Sequence, residues 1–385
     1  MIRSKSFLRL TLIALATVLV KPAQAEVVAE VVIDAPRPAA AKDSKQALEK
    51  SVQRGIAYLT KTQAEDGSWS SKTGIGITAL NTAALLSQGV KVDEPVIAKA
   101  LKHLEANIRD DGGIYSDGSR YRNYETCLAI MALLRANDGK EGGKYDAAIA
   151  KAEKFVKGIQ WDEEEGYDRT HVGYGGAGYG KHNRPDLSNT AFLMETLKEL
   201  GTDANDPAMY RALAFVSRTQ NLPSEHNQAE APKKNPDGGF YYTPIAGGSS
   251  QAGETENGGL RSYGSMTYAG LKSMIYAGVD RNDPRVKAAF EWISKYYSLQ
   301  ENPGLGTSGL YYYFHTFAKA LDAIGEETLT DADGTKHNWR EELATTLINR
   351  QRPDGSWAND NQRWLEADAN LSTGYALMAL SYCKK

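Results

Sequence analysis

One short phrase recurs along the chain and limits what it can fold into. QAEDGSW at 63–69 returns as QRPDGSW at 351–357, and RDDGGIY at 109–115 and NPDGGF at 235–240 are shorter copies. Each follows one helical pattern and precedes another. Aspartate and glycine build a tight turn, with glycine taking a positive φ, while the ring and the glutamine can tie the turn to a neighbouring helix. Self-similarity at this spacing signals stacked supersecondary units rather than a single irregular core.

Apolar periodicity between the turns predicts twelve helices in two alternating kinds. Stretches 45–62, 94–107, 144–160, 207–220, 284–298 and 338–351 are amphipathic and rich in charge. Stretches 75–87, 123–135, 187–200, 263–277, 310–324 and 370–383 are small, apolar and nearly uncharged. A helix apolar all round is buried, and one with a charged face lies outside. Six outer and six inner helices in strict alternation predict an all-α fold, a closed α6/α6 toroid (barrel) whose DGxW turns carry each outer helix to the next inner one.

The N-terminus carries a separate instruction. Arg3, Lys5 and Arg9 precede or open an apolar run at 10–20, and Ala-Gln-Ala at 23–25 stands before Glu26. This is the pattern of a secretory signal peptide. The run is shorter than the roughly 20 residues a bilayer span needs. The expectation is a signal peptide at 1–25, a flexible leader at 26–43, a toroid at 44–385 and a periplasmic or extracellular location; an uncleaved anchor is the alternative. With 45 basic against 48 acidic residues and no basic stripe, nucleic acid is excluded as a partner. Cys127 and Cys383 fall at opposite ends of parallel inner helices, which predicts two buried free thiols rather than a disulfide.

In such a toroid the inner helices run the same way, so six N-termini meet at one mouth. Their dipoles and unpaired N–H groups favour an anion or the anionic end of a ligand. The residues leading into these helices are polar and aromatic: Arg122, Tyr124 and Glu125; Asp186, Ser188 and Asn189; Arg261 and Tyr263; Tyr311, Tyr312, Tyr313 and His315; Glu366 and Asp368. Arg122 and Arg261 are the candidates to hold an anionic end, with Tyr263, Tyr312 and His315 lining the chamber and Tyr124, Asn189 and Asp368 completing the ligand set. Asp186, His315 and Tyr263 are the candidate catalytic groups. Each has a plainer structural role beside it: Asp186 as a helix N-cap, the tyrosines as packing, His315 as a core histidine. Long segments 161–185 and 221–262 feed the same mouth as candidate lids. DADGTKHN at 331–338 lacks a full calcium ligand series and predicts a turn.

The QxxDGSW turns resemble the QW motifs of squalene and hopene cyclases, and 45–385 is similar to a prenyltransferase/squalene-cyclase repeat domain. Within that resemblance PDLSNTA at 185–191 is similar to the PDxDDTA segment of class II cyclases. Asp186 matches its first aspartate, but Ser188 and Asn189 replace the other two, and the missing middle acid is the proton donor of the family. A serine hydroxyl is too weakly acidic to stand in for it. YYYFHTFAKAL at 311–321 resembles the segment that supplies the zinc histidine of protein prenyltransferases, which points to His315. Arg261 and Tyr263 stand where the other ligands are due, so no metal and no cofactor are expected.

The resemblance implies binding or transformation of an isoprenoid-like lipid with an anionic end, with peripheral membrane contact as a compatible feature. A second class, polysaccharide lyases, also uses exported α/α toroids; there Tyr263 or His315 would remove a proton and Arg261 or Asn189 would neutralise a uronate. A third is a non-catalytic toroid that binds a lipid or a protein. Whether chemistry follows, and the oligomeric state, are not legible in the sequence.

Overall fold

The two periodicities resolve into two concentric sets of helices. The computed structural model describes residues 38–137, 142–180 and 183–384, with side chains from Ser44 onward; the expected signal peptide at 1–25 and most of the expected leader at 26–43 lie outside them. The outer helices are α1 (Pro38–Thr62), α3 (Pro95–Glu105), α5 (Asp146–Lys157), α7 (Pro207–Arg218), α10 (Pro284–Lys295) and α12 (Trp339–Arg350). The inner helices are α2 (Gly76–Ser87), α4 (Arg122–Ala136), α6 (Leu187–Glu199), α9 (Gly264–Tyr276), α11 (Leu310–Ile324) and α13 (Ala369–Tyr382), and a short α8 (Glu230–Lys234) lies in the loop before α9. Each inner helix packs on the next, and α13 packs back on α2. The ring is closed, so the expected all-α toroid is the observed fold.

The repeated turn closes it. Gln63 donates its amide to the Gly67 carbonyl (3.0 Å) and to Val96 in the first turn of the next outer helix (2.8 Å). Gln351 does the same with Gly355 (2.8 Å) and, across the chain ends, with Ser51 of α1 (2.9 Å). The indoles of Trp69 and Trp357 donate back to Leu59 and Leu347 of the preceding helices. On the inner side, Thr78 and Thr373 accept the backbone N–H of the two tryptophans. Gly355 sits at φ 92°, and a Cβ there would lie 2.5 Å from the Arg54 carbonyl oxygen. Only glycine combines that backbone with that approach.

Two further turns of this kind are hidden by insertions. Gln160 donates to Gly175 and Ala208, and Gln220 to Gly238 and Arg285, with all four distances between 2.8 and 2.9 Å. The long segments read as candidate lids therefore contain the turns that link α5 to α7 and α7 to α10.

Both cysteines are free, Cys127 buried and Cys383 half-buried. Residues 331–338 form the turn of a small hairpin pairing Leu329–Thr330 with Lys336–His337. No helix among the described residues is long and apolar enough to cross a membrane. One feature departs from the expected uncharged inner ring. Glu195 of α6 pairs with both Lys272 of α9 and Lys319 of α11, all three buried inside the ring. Arg135 of α4 meets Glu199 at 2.6 Å beside them.

Candidate functional site

The inner helices do present their first turns to one chamber. A cavity of about 260 Å³ is lined by Gly76 and Ile77 of α2, Tyr124 and Glu125 of α4, and Ser188, Asn189 and Phe192 of α6. Ser265 and Met266 of α9, Tyr312 of α11, and Leu371 and Tyr375 of α13 complete the ring. Loops add Tyr179, Tyr242 and Gln251, while Tyr121, Trp364 and Leu365 form a half-exposed rim. All six helices contribute because the parallel alternation places their starts at one end.

Four candidates from the sequence meet here. Tyr124, Asn189, Tyr263 and Tyr312 line the cavity. The Tyr124 and Tyr375 hydroxyls are 2.9 Å apart, and the Tyr312 hydroxyl is 3.0 Å from Ser188 Oγ. Burial holds every one of these phenols above the ordinary tyrosine range. Burial holds Tyr263 as a neutral phenol, so no phenolate is populated to act as a base.

The arginines are a correction. Arg122 is exposed and lies over the Tyr115 ring at 5.0 Å, with its Nε donating to the Ser119 carbonyl. Arg261 is exposed and donates to the Glu254 carbonyl at 2.9 Å. Neither lines the cavity, and among the described residues no lysine, arginine or histidine does. The expected clamp for an anionic end is therefore not assembled by these two side chains.

The physical reason is that the chain supplies its own anions to the helix starts. Asp186 caps α6, accepting the Asn189 N–H at 2.9 Å and the Asn189 side-chain amide at 2.8 Å. Glu366 accepts the Tyr312 N–H at 2.8 Å at the start of α11 and the Asn359 amide at 2.8 Å. Asp368 caps α13 through Asn370 and does not reach the cavity. Asn302 accepts the Ser265 N–H at the start of α9. With an N–H satisfied from within the chain at four of the six starts, the dipoles make less demand on an external anion.

Asp186 sits just behind the wall, hydrogen-bonded also to Tyr242, and burial pushes its carboxyl up to about 6. Its capping role is the one its contacts express. Ser188, not an acid, faces the cavity at the position where the resemblance expects the proton donor. His315 is a second correction. It is buried below the chamber, its ring 5.3 Å from that of Tyr375, and it does not line the cavity. Burial, with Lys272 and Arg135 nearby, pulls it down to about 3, so it is a neutral imidazole whose Nδ1 has no hydrogen-bond partner. No group of three or more His, Cys, Asp or Glu side chains with metal-binding geometry occurs among the described residues.

Two carboxyls that sequence reasoning left without a role, Glu125 and Glu366, line the chamber and are raised by burial. Glu125 accepts the Ser116 N–H at 2.9 Å. Tyr179, Tyr242 and Tyr375 were also unassigned; Tyr375 stands one turn into α13, the spacing that puts it on the same face as Leu371.

Comparison with known proteins agrees with this geometry. The squalene-hopene cyclase C-terminal domain matches residues 4–130. A squalene–hopene cyclase of Bradyrhizobium diazoefficiens is 32% identical over 136 residues, which is 30% of this chain and 20% of that protein. The matching segment thus spans about a fifth of the length of the curated relatives. Among solved structures, a variant of a type II terpene cyclase from Scytonema, in complex with geranylgeranyl dihydroxybenzoate, is 12% identical with a TM-score of 0.50, covering 89% of this chain and 99% of that one. A polysaccharide lyase superposes with a TM-score of 0.53 at 10% identity, covering 89% of this chain and 97% of the other. At these identities the structural matches speak for the fold alone. The closed ring and its glutamine-bearing turns make the chain an α/α toroid, one whose residues 4–130 are similar to the squalene-hopene cyclase C-terminal domain.

Proposed function

We propose that this toroid binds an isoprenoid-like hydrophobic molecule in the chamber at the starts of its inner helices. The observation that carries the reading is the wall itself: seven tyrosines with Phe192, Met266, Ile77 and Leu371 around a space open to solvent at an apolar rim. A ligand pocket is ordinarily about 300–1,000 Å³, mostly apolar, with a few polar groups. At about 260 Å³ this chamber takes one end of a long isoprenoid and leaves the rest to pass the rim. The sequence likeness of residues 4–130 to the squalene-hopene cyclase C-terminal domain supports the same ligand class.

Proton-initiated cyclisation of the class II kind has no support at Ser188, so the reading is of binding, with any chemistry limited to the buried carboxyls. A lyase acting on a uronate would need a cation to neutralise the substrate carboxylate and a basic phenolate. Arg261 points elsewhere and Tyr263 is shifted the wrong way. We also propose that residues 1–25 direct export, on the basic, apolar and Ala-Gln-Ala pattern alone.

Mass spectrometry of organic extracts from the purified native protein tests the binding reading. The expected result is a stoichiometric hydrophobic species; repeated extraction of none, with empty chambers in the same preparations, would overturn it.

A further inference from the structure

We infer that His337 is a pH-dependent fastener: its imidazolium pins the 329–337 hairpin to α12, and loss of its proton frees the hairpin. The hairpin has little to hold it by itself. Two residue pairs, Leu329 with His337 and Thr330 with Lys336, make its ladder, and so short a ribbon is marginal in water. Asp331 organises the turn, its Oδ1 accepting the N–H groups of Asp333 at 3.0 Å and Thr335 at 2.8 Å. The other oxygen of the same carboxylate, Oδ2, lies 3.1 Å from His337 Nε2.

The far side of the ring belongs to α12. His337 Nδ1 is 3.0 Å from both carboxylate oxygens of Glu342. An ionised carboxylate only accepts, so a ring bonded on both sides donates from both nitrogens and is an imidazolium. Tyr297, just beyond α10, completes the enclosure. Its ring stacks on His337 with centroids 4.0 Å apart, and its hydroxyl donates to Glu342 at 2.8 Å. An aromatic face at that distance favours the charged ring. The titratable groups facing the histidine are thus Asp331 from the hairpin, Glu342 from α12 and Tyr297 from the α10 side. Burial works against the charge, but the bonds to Asp331 and Glu342 outweigh it and hold the imidazole above its ordinary 6.5.

A neutral imidazole has one donor. Without its proton, His337 can satisfy one of the two carboxylates, and the bridge from Asp331 to Glu342 is broken. A group raised on folding stabilises fully below its unfolded pKa, here 6.5, and that contribution is lost as pH rises through the folded value. The hairpin is therefore fastened at mildly acidic pH and released at alkaline pH. Trp339 confines the change, because its indole is buried at the start of α12 and donates to the Glu326 carbonyl at 2.7 Å.

Hydrogen–deuterium exchange of the full-length protein, with intrinsic exchange rates divided out, tests the inference. From near pH 6 to near pH 9 the amides of 329–338 should lose roughly 5-fold in protection, the worth of a partly exposed ion pair. Those of α1 should keep theirs. In His337→Gln the hairpin amides should be poorly protected at both ends, with no pH step. Ring nitrogen shifts of His337 in the unaltered protein give a readout that needs no variant, and an imidazolium near pH 6 is expected. Flat protection in the wild type, an undiminished step in His337→Gln, or a neutral His337 ring near pH 6 would each overturn the inference.

Discussion

At the scale of single residues, the chamber is governed by which groups satisfy the helix starts. Asp186 illustrates the balance. Its carboxylate accepts two bonds from Asn189, yet burial raises its pKa to about 6 from an ordinary 3.8. A carboxyl raised on folding binds its proton more tightly in the native state, so its contribution to stability is complete below about 4 and is lost as pH rises through about 6. Asp186→Asn keeps an N-cap acceptor and removes the titration. Its melting temperature relative to wild type should therefore be higher at pH 7 than at pH 4, by an amount equivalent to on the order of 1–3 kcal/mol. A difference constant across that range would contradict the assignment.

Glu195 makes the opposite case, a buried carboxylate placed between two lysines. Burial pulls Lys272 down to about 7 and lowers Lys319 as well. Glu195→Gln removes the carboxylate bonded to both amines and leaves only Glu199, 3.7 Å from Lys319, at a cost on the order of 3 kcal/mol in urea unfolding near pH 6. The cost should shrink at pH 9, where the lysines are more readily neutral. These charges were not singled out because one such residue in each of three apolar helices leaves the helical period intact, and only the closed ring brings the three together.

At the scale of elements, the turn is the unit that the sequence displays best. Gln63 and Gln351 stand in plain QxxDGxW phrases, and the structure gives each the same two carbonyl partners. Gln160 and Gln220 make the same bonds across insertions; NPDGGF at 235–240 shows the Gly238 turn in sequence without its glutamine, while the Gly175 turn has no such phrase. Helix positions were legible throughout because burial on one or all faces imposes its period directly. Gly355→Ala forces a Cβ against the Arg54 carbonyl at a positive φ, and Gln351→Leu strands two carbonyls at the seam where α12 meets α1. The expected losses are roughly 1–3 kcal/mol each. Chemical denaturation checks both, and a neutral outcome for the pair would show that the seam does not hold the ring.

At the scale of the whole molecule, parallel inner helices place six N-termini at one end, and that much followed from alternation alone. The partners of those helix starts did not. A dipole argument counts unsatisfied N–H groups, and here Asp186 and Asp368 each take one as local caps, while Glu366 and Asn302 take one each from positions that only tertiary structure relates. Tyr124, Asn189, Tyr263 and Tyr312 were found from sequence because each sits in the first turn of an inner helix or caps it, where side chains must face the chamber. Arg122 and Arg261 share that neighbourhood but have long side chains, which bend away to a ring and a loop carbonyl. His315 lies one turn too deep.

The central claim is that a hydrophobic ligand occupies this chamber. Photolabelling the native protein with a diazirine-bearing isoprenoid analogue, followed by peptide mapping, tests it most directly. The expected labels fall on first-turn residues of the inner helices, Met266, Tyr312 and Leu371 among them, and fall away under competition by the unlabelled isoprenoid. Labels confined to the outer helices, or insensitive to competition, would contradict the account.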